Sequence, residues 1–158
     1  MTSGTLGTTT VVQIGIIVRD IERSAQRYAE VFGLPRPQIR ITDEFEKART
    51  SFEGQPTQAR ARLAFFQMGQ VSLELIEPVG RPSTWGRFLD EKGEGVHHIA
   101  FHVTGTDQIV QALADQGIPA EQQGHYTGGM YTYVASAPQL GVILELLEDL
   151  PDKASGSR

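Results

Sequence analysis

The pattern of hydrophobic and polar residues near the start of the chain predicts a strand followed by an amphipathic helix. Residues 11–18, VVQIGIIV, are rich in β-branched side chains, which favour a strand. Asp20 is a typical helix N-cap, and apolar residues recur mostly at three- and four-residue spacing over residues 21–32. Gly33 and Pro35 then indicate the end of this helix.

The same pattern returns in the second half of the chain. Residues 96–103, VHHIAFHV, predict a strand, and Thr106 or Asp107 is the expected cap of a second amphipathic helix. Gly117 indicates where that helix ends, and it follows Gly33 by about half the chain plus a connector. The chain is therefore predicted to contain an internal duplication.

Strand patterns follow each of the two predicted helices. They cover residues 37–42, 61–68 and 71–77 in the first half, and residues 131–135 and 142–147 in the second half. Each half is therefore predicted to be one βαβββ unit. Residues 43–60, which are rich in Glu, Gln, Arg and Thr, are predicted to form a loop.

These elements divide the chain into two modules, a connector and two tails. The tails consist of small and polar residues, so we expect them to be flexible, and the connector is expected to carry a short helix. The predicted segments are an N-terminal tail over 1–10, a first module over 11–80, the connector over 81–95, a second module over 96–150 and a C-terminal tail over 151–158.

Composition narrows the class of ligand. The net charge is −5 and no dense run of Lys or Arg occurs, which argues against a nucleic-acid or membrane partner. No apolar run approaches the roughly 20 residues that span a bilayer, and the pattern of a signal peptide is missing. We therefore expect a cytoplasmic protein that binds a small molecule. Because the chain has no cysteine, any metal must be held by histidine, carboxylate or amide groups.

Two glutamates occupy the same place in the last predicted strand of each half. Glu74 lies in VSLELIEP and Glu145 in VILELLED, each between two leucines. Side chains alternate between the two faces of a strand, so the leucines are predicted to pack on the helices. The glutamates then face the space that the sheets enclose.

The first strands of the two halves also match each other. QIGIIV begins with Gln13 and HIAFHV begins with His98, so these two residues are predicted to be equivalent. His102 shares the inner face with His98, because it lies four residues further along the strand. His97 points the other way by alternation, and we expect both His97 and His125 at the surface.

A βαβββ duplication with polar residues at these positions resembles the vicinal oxygen chelate superfamily, the glyoxalase/bleomycin resistance/dioxygenase type, over residues 11–148. The resemblance implies an α+β fold in which two tandem βαβββ modules curl their mixed sheets into a cup around one divalent metal ion. It also implies four metal ligands: Gln13, Glu74, His98 and Glu145. Such a mixed nitrogen and oxygen set suits Zn, Co, Ni or Mn.

The segments GEGVHHIAFHV, ELIEP and RFLDEKGEG are most similar to methylmalonyl-CoA epimerases, whereas the ligand set is similar to that of zinc-type glyoxalase I. The resemblance implies an isomerase, epimerase or lyase that chelates neighbouring oxygens of a carbonyl substrate. Such an enzyme stabilises the enolate or enediolate formed by proton abstraction. Glu145 is the expected base, and His102 is the other candidate for proton transfer. Family habit implies a homodimer.

Departures from both families leave alternatives open. Ile17 and Pro78 stand where glyoxalase I places a glutathione-binding arginine and an asparagine, and Gln58 stands where the epimerases place a second glutamate. The alternatives are a glyoxalase I-like lactoylglutathione lyase, a non-haem dioxygenase and a metal-free protein that binds an antibiotic. Dioxygenases of this superfamily use two histidines and one glutamate, so Gln13 argues against a dioxygenase. The complete ligand set argues against the metal-free binding protein.

Overall fold

A single mixed sheet of ten strands forms the framework of the computed structural model, which describes residues 4–151. The remaining positions of the predicted tails, 1–3 and 152–158, lie outside the described residues. The first half contains, in order, β1 (Gln13–Ile17), α1 (Ile21–Phe32), β2 (Arg40–Ile41), α2 (Phe45–Ala48), β3 (Ser51–Phe52), β4 (Gln55–Pro56), β5 (Arg60–Met68) and β6 (Val71–Val79). The second half contains α3 (Thr84–Lys92), β7 (Gly95–His102), α4 (Thr106–Asp115), β8 (Ala120–Tyr126), β9 (Gly129–Val134), α5 (Ala137–Leu140) and β10 (Ile143–Asp149).

The sheet order confirms the predicted duplication. The strands lie in the order β2, β5, β6, β1, β7, β10, β9, β8, β3 and β4, so the two βαβββ units meet at β1 and β7. These two strands are antiparallel, with Gln13 opposite Ala100 and Gly15 opposite His98. In the duplicated sequence, Gln13 corresponds to His98 and Gly15 to Ala100. An approximate twofold rotation therefore exchanges the pair Gln13 and Ala100 with the pair His98 and Gly15. The α+β fold of two βαβββ modules in one curled sheet is confirmed.

Helix α1 begins and ends at the residues that the sequence indicates. The Asp20 carboxylate accepts a hydrogen bond from the Arg23 backbone N–H at 3.0 Å, and Gly33 adopts the left-handed conformation, with φ 64°. Helix α4 differs from the prediction, because neither Thr106 nor Asp107 caps it. Glu148 of β10 accepts from the backbone N–H groups of Gly105 and Thr106 at 2.8 and 3.0 Å instead.

Residues 43–60 were predicted to be a loop, and this prediction is wrong in part. They form α2 and a small hairpin, β3 and β4, which pairs with β8 at the edge of the other half of the sheet. Phe52 is buried there beneath the Arg87 guanidinium, whose Cζ lies 4.7 Å from the ring centroid. Arg87 also forms ion pairs with Glu53 and Glu121. Elements this short depend on such contacts and leave no periodic pattern in the sequence.

Three apolar clusters within residues 4–151 stabilise the sheet. Leucines of β6 and β10 pack on α1 and α4 as predicted, and truncating one such buried leucine typically costs about 2–5 kcal/mol. These leucines are Leu73, Leu75, Leu144 and Leu146. The third cluster lies on the inner face of the sheet, next to the predicted metal ligands: Ile17, Ala61, Ile76, Trp85, Tyr133 and Ile143. Among the described residues, no helix is long and apolar enough to cross a membrane.

Candidate metal centre

The four predicted metal ligands lie on the four central strands of the sheet. Gln13 is on β1, Glu74 on β6, His98 on β7 and Glu145 on β10. The strand register brings them together, because Glu74 pairs with Gly15 of β1 while Glu145 pairs with Ala100 of β7. Each half of the chain therefore contributes two of the four side chains, and the twofold relation of the halves makes them converge.

Their terminal atoms lie close to a common point. His98 Nε2 is 2.9 Å from Glu145 Oε2 and 3.4 Å from Glu74 Oε2. The amide atom of Gln13 that lies 3.1 Å from His98 Nε2 is also 3.0 Å from Glu74 Oε2 and 2.9 Å from Glu145 Oε2. Glu74, His98 and Glu145 are all buried, with at most 7% of each residue exposed.

This geometry fits a small divalent cation. Metal–ligand bonds of about 2.0–2.2 Å separate neighbouring ligand atoms by about 2.9–3.5 Å, which matches the separations in this cluster. With its amide oxygen turned inward, Gln13 would join two carboxylates and an imidazole nitrogen in offering lone pairs to one centre. The buried Glu74, His98 and Glu145 group can therefore hold a divalent metal ion. Two carboxylates would balance its charge.

Burial and mutual charge shift the titration of the cluster. Burial raises the pKa of Glu74, and the neighbouring Glu145 charge adds to this, against a hydrogen bond from His98. For His98, burial disfavours the charged form. Glu145 and Glu74 favour the charged form through their negative charges and their hydrogen bonds with His98. These effects outweigh burial and raise the pKa of His98 to about 10. Protons therefore occupy this cluster at neutral pH when no cation does.

Gly15 creates the space for His98, a role that the sequence reasoning missed. A β-carbon at position 15 would lie 2.0 Å from His98 Cε1 and 2.4 Å from its Nδ1, so only glycine leaves room for the ring. The sequence does contain a signal, because an isolated glycine within a strand often marks the close approach of another group.

His97 was predicted at the surface, and this prediction is wrong. The register between β1 and β7 shifts after Gly15, where the next pair is Ile16 with Val96, so His97 is an extra residue in a β-bulge. The bulge interrupts the alternation of side chains and turns His97 inward, where only 1% of it is exposed. Burial and the neighbouring His98 charge hold its pKa well below 6.5. His125, by contrast, is exposed as predicted.

A cavity of about 690 Å³ opens above the cluster. Trp85, Tyr131 and Tyr133 form an aromatic wall beside the ligands, in which the Trp85 indole N–H donates to the Tyr133 hydroxyl at 3.1 Å. His102 also lines the cavity, but its side chain is exposed. It lies four residues from His98, about 13 Å along an extended strand, and outside the ligand cluster.

The cavity wall formed by β5 carries no second carboxylate. Gln58 is exposed and precedes the strand, while Leu63, Phe65 and Gln67 line the cavity. By alternation the preceding inward position is Ala61, which is fully buried against the aromatic wall. None of these inward side chains can transfer a proton, so the described residues of β5 supply no acid or base to the cavity.

Comparison with known proteins supports the same family. The chain is 34% identical to the uncharacterized protein YqjC of Bacillus subtilis over 144 residues, which covers 89% of this chain and 92% of that protein. Methylmalonyl-CoA epimerase from Mycobacterium tuberculosis has a similar structure, with a TM-score of 0.63, 19% identity and coverage of 96% and 93% of the two chains. A variant of Streptomyces coelicolor methylmalonyl-CoA epimerase in complex with 2-nitronate-propionyl-CoA gives a TM-score of 0.61 at 23% identity. The match covers 90% of this chain and 99% of that chain.

Because their identities are only 19% and 23%, the two epimerase structures show that the fold is shared and nothing more. The family profile described as glyoxalase/bleomycin resistance protein/dioxygenase superfamily matches residues 12–135, which is most of the chain and includes three of the four converging side chains. The duplicated βαβββ fold and the ligand cluster at its centre agree with that match. The chain therefore belongs to the glyoxalase/bleomycin resistance protein/dioxygenase superfamily.

Proposed function

We propose that this protein is a divalent-metal-dependent enzyme that moves a proton next to a carbonyl group. The observation that carries the proposal is the convergence of four side chains at the base of an open cavity. His98 and Gln13 each lie 2.9–3.4 Å from Glu74 and Glu145, and 3.1 Å from each other. A structural ion pair would not need this open space above it. Two neighbouring substrate oxygens are the ligands that fit such a centre.

The four side chains would hold Zn, Co, Ni or Mn. The bound ion would supply Lewis acidity that stabilises an enolate or enediolate of the substrate. Glu145 is the proposed base, because it lies in the cluster and faces the cavity. The aromatic wall of Trp85, Tyr131 and Tyr133 would exclude water from the reacting carbon. His102 at the exposed end of the cavity is proposed to bind or relay a proton at the distal part of the substrate.

The epimerases of similar fold suggest acyl-CoA thioesters with a branched 2-carbon as the first substrates to test. Epimerisation removes a proton from one face of that carbon and returns it to the other, so two groups normally share the task. A second candidate needs only one base, which removes and returns the proton, and Ala61 on the wall formed by β5 is compatible with it. An isomerase of hemithioacetals, as in the glyoxalase I-like alternative, needs only one such base.

Metal content tests the first part of the proposal. Protein purified without added metal is expected to contain close to one divalent ion per chain, and His98→Ala is expected to lose it. His125→Ala, which removes an exposed histidine outside the cluster, should retain the ion. Equal and negligible metal in all three proteins would contradict an enzyme of this type and would favour the metal-free binding protein.

Proton exchange in deuterated water tests the chemistry. Glu145→Gln keeps an oxygen ligand but cannot accept a proton, so exchange at the substrate carbon should fall by about 10²-fold or more. Racemised product would indicate epimerisation, whereas exchange with retained configuration would indicate one-base transfer. If neither branched acyl-CoA thioesters nor hemithioacetals exchange their proton with the metal-loaded protein, the proposed chemistry is wrong.

A further inference from the structure

The buried histidine of the β-bulge, His97, links the cluster of predicted metal ligands to the connector helix α3. Its Nδ1 lies 3.0 Å from His98 Nδ1, and its Nε2 lies 3.0 Å from Thr84 Oγ1 near the start of α3. Both ring nitrogens of His97 therefore have a partner, and both ring nitrogens of His98 do too. A surface residue or a simple packing residue would not require such a chain of contacts.

Only one arrangement of hydrogens is consistent with a metal ion on His98 Nε2. A neutral imidazole that binds through Nε2 carries its hydrogen on Nδ1, so His98 Nδ1–H must be the donor to His97. His97 Nδ1 then accepts, which leaves the hydrogen of His97 on Nε2. From there it is donated to Thr84 Oγ1.

Two aromatic rings pack on the His97 ring, and a further hydrogen bond fixes Thr84. The His97 ring meets Phe88 edge-on at a centroid distance of 5.3 Å and Tyr133 at 5.1 Å. Thr84 is fixed as well, because its backbone N–H donates to Gln122 Oε1 at 2.8 Å. A rotation of His97 would break both of its hydrogen bonds and these packing contacts.

We propose that His97 is a positioning residue that fixes the tautomer and orientation of His98 for metal binding, with Thr84 as its anchor. This inference rests on the proposed function. Metal-bound histidines usually donate to a carboxylate, a backbone carbonyl or water, and loss of that partner typically costs metal affinity. Here the partner is a second imidazole. It adds no negative charge beside a centre that already contains two carboxylates, so it would preserve the Lewis acidity of a bound ion.

The test compares two replacements of His97. His97→Leu keeps apolar volume but removes the acceptor, and it is expected to weaken Co²⁺ affinity on the order of 10–100-fold. His97→Asn keeps an oxygen near the position of Nδ1, so it should restore most of the affinity. Phe88→Leu is the matched control, since it removes packing on the His97 ring without touching a hydrogen bond. Its affinity should stay close to that of the wild-type protein.

Affinity is measured by competition with a chelator, and the visible absorption of bound Co²⁺ reports the geometry around the ion. His97→Leu should change that spectrum, whereas Phe88→Leu should not. If His97→Leu does not fold, Thr84→Val serves in its place, and it is expected to weaken affinity several-fold by freeing the His97 ring. Wild-type affinity and spectrum in the folded His97→Leu protein, or in Thr84→Val when that variant is used, would overturn the positioning role.

Failure of this inference is distinguishable from failure of the proposed function. A wild-type protein that binds no divalent ion contradicts the function itself, and the role of His97 with it. A wild-type protein that binds Co²⁺ as tightly as its folded His97→Leu variant contradicts only the positioning role.

Discussion

The imidazole of His98 lies against the backbone of Gly15 on the neighbouring strand, so closely that a β-carbon at position 15 would stand 2.0 Å from His98 Cε1. Gly15→Ala is therefore expected to displace the ring and to lower both metal affinity and stability. Overpacking of this kind typically costs about 1–3 kcal/mol. Thermal unfolding of the metal-free protein and Co²⁺ titration measure the two effects.

The clash can be separated from other effects of the glycine by a double-mutant cycle. In the His98→Ala background the space above position 15 is empty, so Gly15→Ala should then have little effect on stability or should increase it. The same destabilisation in both backgrounds would show that the contact between His98 and Gly15 is not the cause.

Metal binding is expected to release protons. The pKa of His98 is raised to about 10, so its imidazole is protonated at neutral pH and must lose that proton before Nε2 binds an ion. Affinity should therefore fall as pH falls, by about tenfold per pH unit for each proton released. Chelator competition at pH 6, 7 and 8 measures this slope, and equal affinities at all three would contradict the assigned protonation state.

The start of α4 is expected to depend on a carboxylate of β10. Glu148 accepts from two backbone N–H groups at the helix start, and hydrogen bonds with Thr106 and Gly105 lower its pKa. Glu148→Gln should destabilise the protein by about 0.5–2 kcal/mol, as other lost caps do. Because the pKa is lowered, the stabilisation is present above the ordinary value of 4.5 and disappears as pH falls below it.

Urea denaturation of Glu148→Gln and wild type at pH 7 and pH 3 measures that difference. The gap should be larger at pH 7 than at pH 3, because protonation of the wild-type carboxyl removes the charged cap as pH falls below 4.5. Glu91→Gln, an exposed glutamate on α3, is the control and should change stability little at either pH. A gap that is the same at both pH values would exclude the charged cap as its source.

Attachment of the β3 and β4 hairpin to the second half is expected to depend on Arg87. Its guanidinium contacts Phe52 and pairs with Glu53 and Glu121, while the Glu53 backbone N–H donates to the Glu121 carbonyl at 2.8 Å. Arg87→Ala should speed hydrogen exchange of that amide on the order of tenfold, since about 1.4 kcal/mol of lost stabilisation corresponds to that factor. Arg27→Ala, which breaks an exposed pair on α1, should not. Unchanged exchange in Arg87→Ala would contradict this.

The parts of the fold that the sequence predicts are those with a local or repeated pattern. Asp20 and Gly33 mark α1 because capping acts within a few residues, and alternation assigns Glu74 and Glu145 to one face. The match between Gln13 and His98 depends only on the repeat. Capping, alternation and the repeat together predict most of the βαβββ framework and the position of the cluster.

The features that the sequence does not predict depend on distant contacts. The bulge at His97 arises in the pairing of β7 with a strand from the other half, so alternation alone assigns the wrong face. The cap of α4 comes from Glu148, 42 residues beyond Thr106. The β3 and β4 hairpin within residues 43–60 is held by Arg87, which lies on the connector helix α3. The homodimer, the cytoplasmic location and the flexibility of the tails stay predictions.

The approximate twofold axis between β1 and β7 passes close to the cluster of Gln13, Glu74, His98 and Glu145. A perfectly symmetric cup would offer both ends of a two-oxygen ligand the same surroundings, and it could not select one orientation of an asymmetric substrate. Here the backbone is nearly symmetric, whereas Gln13 faces His98 across the axis and the hairpin of residues 43–60 belongs to one half alone. A preference for one orientation of a bound ligand would therefore depend on a few side chains and one insertion. Changes in those side chains would alter that preference while the sheet stays the same.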